Sequence, residues 1–226
     1  MTRYIDTLNH PFRLRRGHCA LLVVDMQYAS GSRHHGLGRW LSEQGRQEEA
    51  TYRFDRIERV VVPGIRRLLA GFRSAGQAVI YLKLGARLPD YSDTPPHMRR
   101  FFSTLNNHVG TREHEILDEL RPEPGELVLH KTTQGAFASS PLESVLRAKG
   151  LGQVVTVGVS TNNCVETTAR EASDRGFETV MVADATGTCS DEMQNLTLGA
   201  FTRLWGQVLT VDEVLEELNL VPAVAV

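Results

Sequence analysis

Short apolar runs alternate along the chain with longer stretches in which apolar residues recur every three to four positions. Six runs have strand length: Cys19–Asp25, Gln77–Leu84, Glu126–His130, Gln153–Val159, Glu178–Asp184 and Gln207–Val211. They are β-branched and unbroken rather than alternating, which predicts strands covered on both faces. Helical spacing marks Ile57–Ser74, Ser139–Lys149, Asn162–Arg175 and Asp191–Leu204, and a last helix is predicted from about Val211. Pro63 puts the start of the first helix proper at that residue, because proline suits a first helical turn. Gly150 and Gly176 stop two of the others. This alternation predicts an α/β fold, a single doubly wound, mainly parallel six-stranded sheet with helices on both faces and a Rossmann-like strand order. Residues 1–226 read as one domain, with no linker and no internal repeat.

Two stretches break the alternation. Residues 28–56 follow the first strand and are polar, rich in Gly, Arg and Glu; residues 85–112 follow the second and contain PDYSDTPPHMRR. Both begin at carboxyl ends of strands, where open α/β sheets bind ligands. Insertions of this length are usually lids, binding loops or interface arms. The first has few apolar residues of its own, so packing on a neighbouring subunit is expected of it.

Charge excludes some partners. With 25 Lys and Arg against 27 Asp and Glu, the net charge is −2, and basic residues occur only in short runs such as Arg13–Arg16. Neither a nucleic acid nor an anionic membrane is expected, since both require a clustered basic face. No apolar run approaches the ~20 residues that span a bilayer, and the N-terminal residues lack the apolar stretch of a secretory signal. Three cysteines without such a signal predict free thiols in a reducing compartment, the cytoplasm.

Three residues at predicted strand ends can carry chemistry. Cys164 stands in GVSTNNCVETTAR, where a strand gives way to a helix. A thiol there feels the partial positive charge of unpaired amides, which is expected to lower its pKa. Those amides also suit an oxyanion. Asp25 closes the first strand, where partial desolvation would raise its pKa towards the range of a general acid or base. Asp25 reads equally well as a cap or loop carboxylate. Lys131 follows the third strand, and an ammonium beside a thiol and a carboxylate would favour the thiolate and orient both. In isolation it would read as a surface lysine. Cys19, in mid-strand, reads as core, and Cys189 as a bystander in a loop.

The segments LLVVDMQ, LHKTTQGAF and VGVSTNNCVETTARE…DRGFETVMVADAT resemble the isochorismatase-like cysteine hydrolases, over nearly the whole chain from about Gly17 to Leu218. That family includes nicotinamidases, N-carbamoylsarcosine amidohydrolase, biuret hydrolase and ureidoacrylate amidohydrolase. The resemblance implies a catalytic triad of Asp25, Lys131 and Cys164. It implies that Asp25 takes the thiol proton, that the thiolate attacks an amide carbonyl, and that water hydrolyses the resulting thioester. It further implies a cis peptide at Val159–Ser160, with the backbone N–H groups of Ser160 and Cys164 as the oxyanion hole. Dimers or tetramers are common in the family, so a homo-oligomer is expected.

The departures from the pattern matter as well. Nicotinamidase-like members carry an Asp-x-His metal motif after the second strand, and GARLPDYSD here has no such spacing; His97 and His108 lie further on without a matching pattern. Neither metal nor other cofactor is therefore expected. Having Cys164 argues against the vinyl-ether hydrolysis of isochorismatase proper. Gln27, Tyr28, Phe137 and Trp205 are candidate pocket residues, and Arg100, Asn106 and Asn107 are candidates to recognise a ureido or carboxylate group. Glu166 and Arg170, at i and i+4 on one helix, should pair with each other. The expected activity is hydrolysis of a small linear amide of ureido or carbamoyl type. An ester, a hydrazide or a nicotinamide-like amide is the alternative substrate on the same scaffold, and a non-catalytic interaction module is the alternative role.

Overall fold

The computed structural model describes residues 4–220. Its six strands are β1 (Cys19–Val24), β2 (Ala78–Leu84), β3 (Leu127–Lys131), β4 (Gln153–Val159), β5 (Glu178–Gly187) and β6 (Gln207–Leu209). They form one sheet in the order β3-β2-β1-β4-β5-β6, parallel throughout. The chain leaves β1 towards one edge of the sheet and returns through β4 towards the other. The topological switch point, where such sheets bind ligands, therefore lies between β1 and β4.

Among the described residues nine α-helices accompany the sheet: α1 (Tyr28–Gly31), α2 (Gly36–Glu43), α3 (Thr51–Arg56), α4 (Val62–Ser74), α5 (Pro96–Thr104), α6 (Leu142–Ala148), α7 (Glu166–Asp174), α8 (Asp191–Phe201) and α9 (Val211–Glu217). Strand side chains alternate between two cores. Cys19, Leu21 and Val23 of β1 face α4 and α9 through Ile65, Leu68, Phe72 and Val214. Ala20, Leu22 and Val24 face the other layer, built on Phe102, Leu142, Ala169 and Phe201. Each large apolar side chain so buried contributes roughly 1.5–3 kcal/mol. Both faces being covered, β1 has no room for polar residues, which explains its unbroken apolar run.

The helix expected to begin at Pro63 begins earlier. From Thr51 the chain is helical without a break to Ser74, passing through a π-helical turn at Ile57–Val61. Proline lacks an N–H, and its ring collides with the carbonyl four residues back. The wide turn, closed by Val62 N–H donating to the Ile57 carbonyl, carries the helix past that collision. The insertion 28–56 consequently has anchors within its own chain: Leu41, Ala50 and Phe54 are buried in the core with Ile57 and Val61.

Gly158 shows how tightly the switch point is packed. Its φ is +114°, and a Cβ there would stand 2.0 Å from the Val24 carbonyl oxygen on β1. Gly158→Ala is therefore expected to cost about 3 kcal/mol or more, from left-handed backbone and collision together. Urea denaturation checks this, and an unchanged midpoint would mean that the two strands are not so closely apposed.

Candidate active site

Asp25 directly follows β1 with φ +52°, in the left-handed region that an L-residue rarely adopts. Its amide donates to the Leu82 carbonyl (3.0 Å) and its carbonyl accepts from Gln27 N–H (2.8 Å), so the chain turns sharply and the carboxylate points back over the sheet edge. Lys131 ends β3, two strands away across β2. With strands ~4.8 Å apart, a long side chain is needed to cross that gap. Its Nζ donates to Asp25 Oδ2 (2.8 Å) and to the carbonyls of Gln134 (2.9 Å) and Thr133 (3.1 Å), which uses all three ammonium protons. Lys131 is fully buried and Asp25 is 2% exposed.

Cys164 reaches the same place from β4. The Val159–Ser160 peptide is cis, and the helix that follows opens with a π-helical turn, Thr161–Val165. The Ser160 carbonyl accepts from the amides of Asn163 (3.0 Å) and Val165 (3.3 Å). Thr161 Oγ1 fastens the turn to α8 by donating to Gln194 Oε1 (2.7 Å). Asp25 Oδ1, buried and without a hydrogen-bond partner of ordinary geometry among the described residues, is the oxygen left for the thiol. Thiol and carboxylate are close enough to influence each other's titration.

Electrostatics here depart from the expectation of a depressed thiol pKa. Burial pushes the Cys164 thiol up; the Lys131 ammonium opposes this and the Asp25 charge adds to it. The partial charge of a helix terminus is small beside the loss of water around a thiol that is only 6% exposed. Burial likewise raises the Asp25 carboxyl, against the pull of Lys131. Burial works against the Lys131 ammonium, but Asp25 and the thiol together hold its pKa above the usual lysine value. The three groups are coupled. With one ammonium present, a single negative charge is favoured, and one proton serves both Asp25 and Cys164.

Asp25 and Cys164 line the base of a cavity of about 620 Å³, and Lys131 is buried out of its wall. Gln27 and Asn107 are on its wall, but their amides are committed to the fold. Gln27 donates to the carbonyls of Leu84 and His114 and accepts from Leu84 N–H, while Asn107 donates to the Leu84 carbonyl. Ser160 is on the wall too.

Five other candidates are elsewhere. Tyr28 turns to the far side of α1, where Arg112 stacks on its ring at 3.8 Å. Phe137 packs on Phe177 and Arg175. Asn106 turns to Glu113 (3.3 Å), and Arg100 is exposed on α5. Trp205 precedes β6 and so lies at the amino edge of the sheet, opposite the site, under Arg170. The Glu166–Arg170 pair is present at 2.6 Å. Cys189, read as a bystander, stands on the cavity wall.

Several wall residues had no place in the sequence expectations, among them Arg53, Gln134, Asn163 and Met193. Arg53 was findable: Ala50, Phe54, Ile57 and Val61 continue the helical spacing of α4 backwards. His97 lines the cavity, whereas His108 packs against Tyr91. Among the described residues no three His, Cys, Asp or Glu side chains converge as a metal-binding group.

A family model for the isochorismatase domain matches residues 19–213. This chain belongs to the isochorismatase family. It is similar to the ureidoacrylate amidohydrolase of Stutzerimonas stutzeri, 31% identical over 96% of this chain and 89% of the relative. The ureidoacrylate amidohydrolase of Agrobacterium fabrum is 30% identical, over 90% of this chain and 91% of the relative. Among solved structures, the N-carbamoylsarcosine amidase of Thermoplasma acidophilum superposes with a TM-score of 0.66 at 29% identity, over 86% of this chain and 96% of that one. A cysteine hydrolase from Pseudomonas syringae pv. phaseolicola shares the fold, with a TM-score of 0.76 at 23% identity, over 92% of this chain and 95% of that one. No described helix in this isochorismatase-family chain is long and apolar enough to cross a membrane.

Proposed function

We propose that this isochorismatase-family hydrolase is a cysteine-dependent amidohydrolase that cleaves the C–N bond of a small linear amide, with ureido or carbamoyl compounds as its substrate class. The observation that carries this reading is the buried Asp25–Lys131 pair with a free carboxylate oxygen turned towards Cys164 at the base of a cavity. The ureidoacrylate and N-carbamoylsarcosine relatives support the ureido and carbamoyl class.

The chemistry follows from the shared proton. Asp25 Oδ1 takes the proton of Cys164 as the sulfur attacks the carbonyl carbon, while Lys131 balances the charge on the carboxylate–thiol pair. The N–H groups of Ser160 and Cys164 hold the oxyanion. On collapse the C–N bond breaks, and the protonated Asp25 gives its proton to the leaving nitrogen. The thioester remaining on Cys164 is hydrolysed by water that Asp25 deprotonates, which returns the thiol. A raised thiol pKa fits this course, because the proton leaves only during attack and a standing thiolate is not required.

An ammonia-release screen tests the reading, with biuret, ureidoacrylate, carbamoyl amino acids, maleamate and nicotinamide as substrates. Turnover is expected for ureido or carbamoyl members. Release of nitrogen from nicotinamide alone, or from none of the panel, would overturn it. The pH profile is a further check. Only the ionised Asp25 can accept the proton, so kcat/KM should fall as pH drops through its folded pKa. Burial places that acid limb above the usual carboxylate range, and a limb at the ordinary aspartate value would contradict the role given to Asp25.

A further inference from the structure

Arg53 stands in the cavity wall with no part in that chemistry. It lies on α3, is 8% exposed, and has only neutral oxygens as partners. Nε and Nη2 donate to the Ser30 carbonyl (3.1 and 2.9 Å), and Nη1 donates to Ser160 Oγ (2.8 Å). A guanidinium has five N–H bonds, so two are left over. Among the described residues no carboxylate pairs with it. Burial pulls its pKa down to about 10, which leaves it charged at neutral pH; the other influences it feels are those of Cys189 and Cys164.

A buried cation without a counter-charge is costly unless something supplies one. The charges already at the base cannot do so. Asp25 is bonded to Lys131, and Glu49, at the rim, is bonded to Arg46. Leu37, Leu41, Met98 and Phe101 make much of the remaining wall apolar. The cavity thus offers one uncompensated positive charge, on a fork suited to a planar anion, within electrostatic reach of the Cys164 sulfur.

We propose that Arg53 binds a carboxylate on the substrate, so that the enzyme acts on short ureido or carbamoyl acids in preference to neutral amides. The inference rests on the amidohydrolase reading for its choice of scissile bond. Because Arg53 sits beside Ser160 and close to Cys164, the carboxylate would be only a few bonds from the carbonyl attacked. Arg53 is then the specificity residue, holding the acid end while Asp25 and Cys164 work on the other.

The test compares 3-ureidopropionate with N-propylurea, which has the same carbamoyl end and no charge, in wild type, Arg53→Met and Arg53→Lys. Arg53→Met is expected to lower kcat/KM for the acid by about 100-fold, chiefly through KM, and to change the neutral compound by less than about threefold. Arg53→Lys, which keeps the charge but loses the fork, should fall between. Equal losses on both compounds would mean a structural or catalytic role and would overturn the proposal, as would no loss on either. If Arg53→Met fails to fold, the acid-to-neutral ratio in Arg53→Lys decides in the same way. Calorimetric binding of 3-ureidopropionate to Cys164→Ala protein, with and without Arg53→Lys, separates the two readings. Binding weakened by Arg53→Lys, with no wild-type turnover of any amide, would uphold the carboxylate site and sink the amidohydrolase reading. Turnover without any preference for the acid would sink the carboxylate site alone.

Discussion

Replacing Cys164 with alanine is expected to lower amide turnover by about 10⁴-fold or more while leaving the protein folded. Where residues act as a unit, loss of the nucleophile removes the covalent route altogether, and what remains comes from binding and the oxyanion site. The structural cost should be small, about 1 kcal/mol, because only one sulfur atom is removed and the backbone turn that carries it keeps its own hydrogen bonds. Thr161 on Gln194 and the Ser160 carbonyl hold that turn, and both are untouched. Nitrogen release, measured on protein whose melting curve matches wild type, is the check. Retention of a tenth of the activity would remove Cys164 from the chemistry. Cys164→Ser should be nearly as inactive, since a hydroxyl gives up its proton far less readily to the same carboxylate.

Asp25→Asn should fail in two ways at once. Without a proton acceptor the rate is expected to drop by about 10³-fold. Lys131 would also lose its counter-charge while remaining fully buried, and removing one partner of a buried pair costs about 3–5 kcal/mol. The amide oxygen of Asn can still accept from Nζ, which favours the lower end of that range. Combining Asp25→Asn with Lys131→Met removes the stranded ammonium and should recover much of the stability without recovering activity. Urea denaturation and turnover, measured on the same samples, distinguish the effects. If Asp25→Asn were as stable as wild type, the ion pair would carry little of the stability assigned to it here.

The sheet and its reactive edge were legible because they depend on local rules. Unbroken β-branched runs marked the strands, and Asp25, Lys131 and Cys164 each followed one. Strand ends share an edge in a doubly wound sheet, so three distant residues could be grouped before any distance was known. The thiol's environment was not legible. Its helix terminus was visible in the sequence, whereas its loss of water depends on walls contributed by residues 28–56 and 85–112, whose folding no period announced. The same gap explains the pocket residues. Tyr28 and Asn106 each adjoin a residue that does reach the wall, Gln27 and Asn107, and a turn of backbone separates the members of each pair. Trp205 was misplaced for a simpler reason: it enters β6 instead of leaving it, and so belongs to the opposite edge of the sheet.

The wide turn at Ile57–Val61 sets the phase between the two ends of the helix that contains it. Behind it, Ile65, Leu68 and Phe72 are locked onto the sheet; ahead of it, Arg53 faces the cavity. One residue turns an α-helix by about 100°, and a π turn holds one residue more than the regular pitch requires. Deleting a single residue there would swing the front of the rod by roughly a quarter-turn, taking Arg53 off the cavity while the back stayed in register. That one extra residue acts as a rotational spacer between two buried stretches of one rod, so under the role proposed for Arg53 an insertion or deletion at this turn would alter substrate charge preference without touching a residue of the cavity wall.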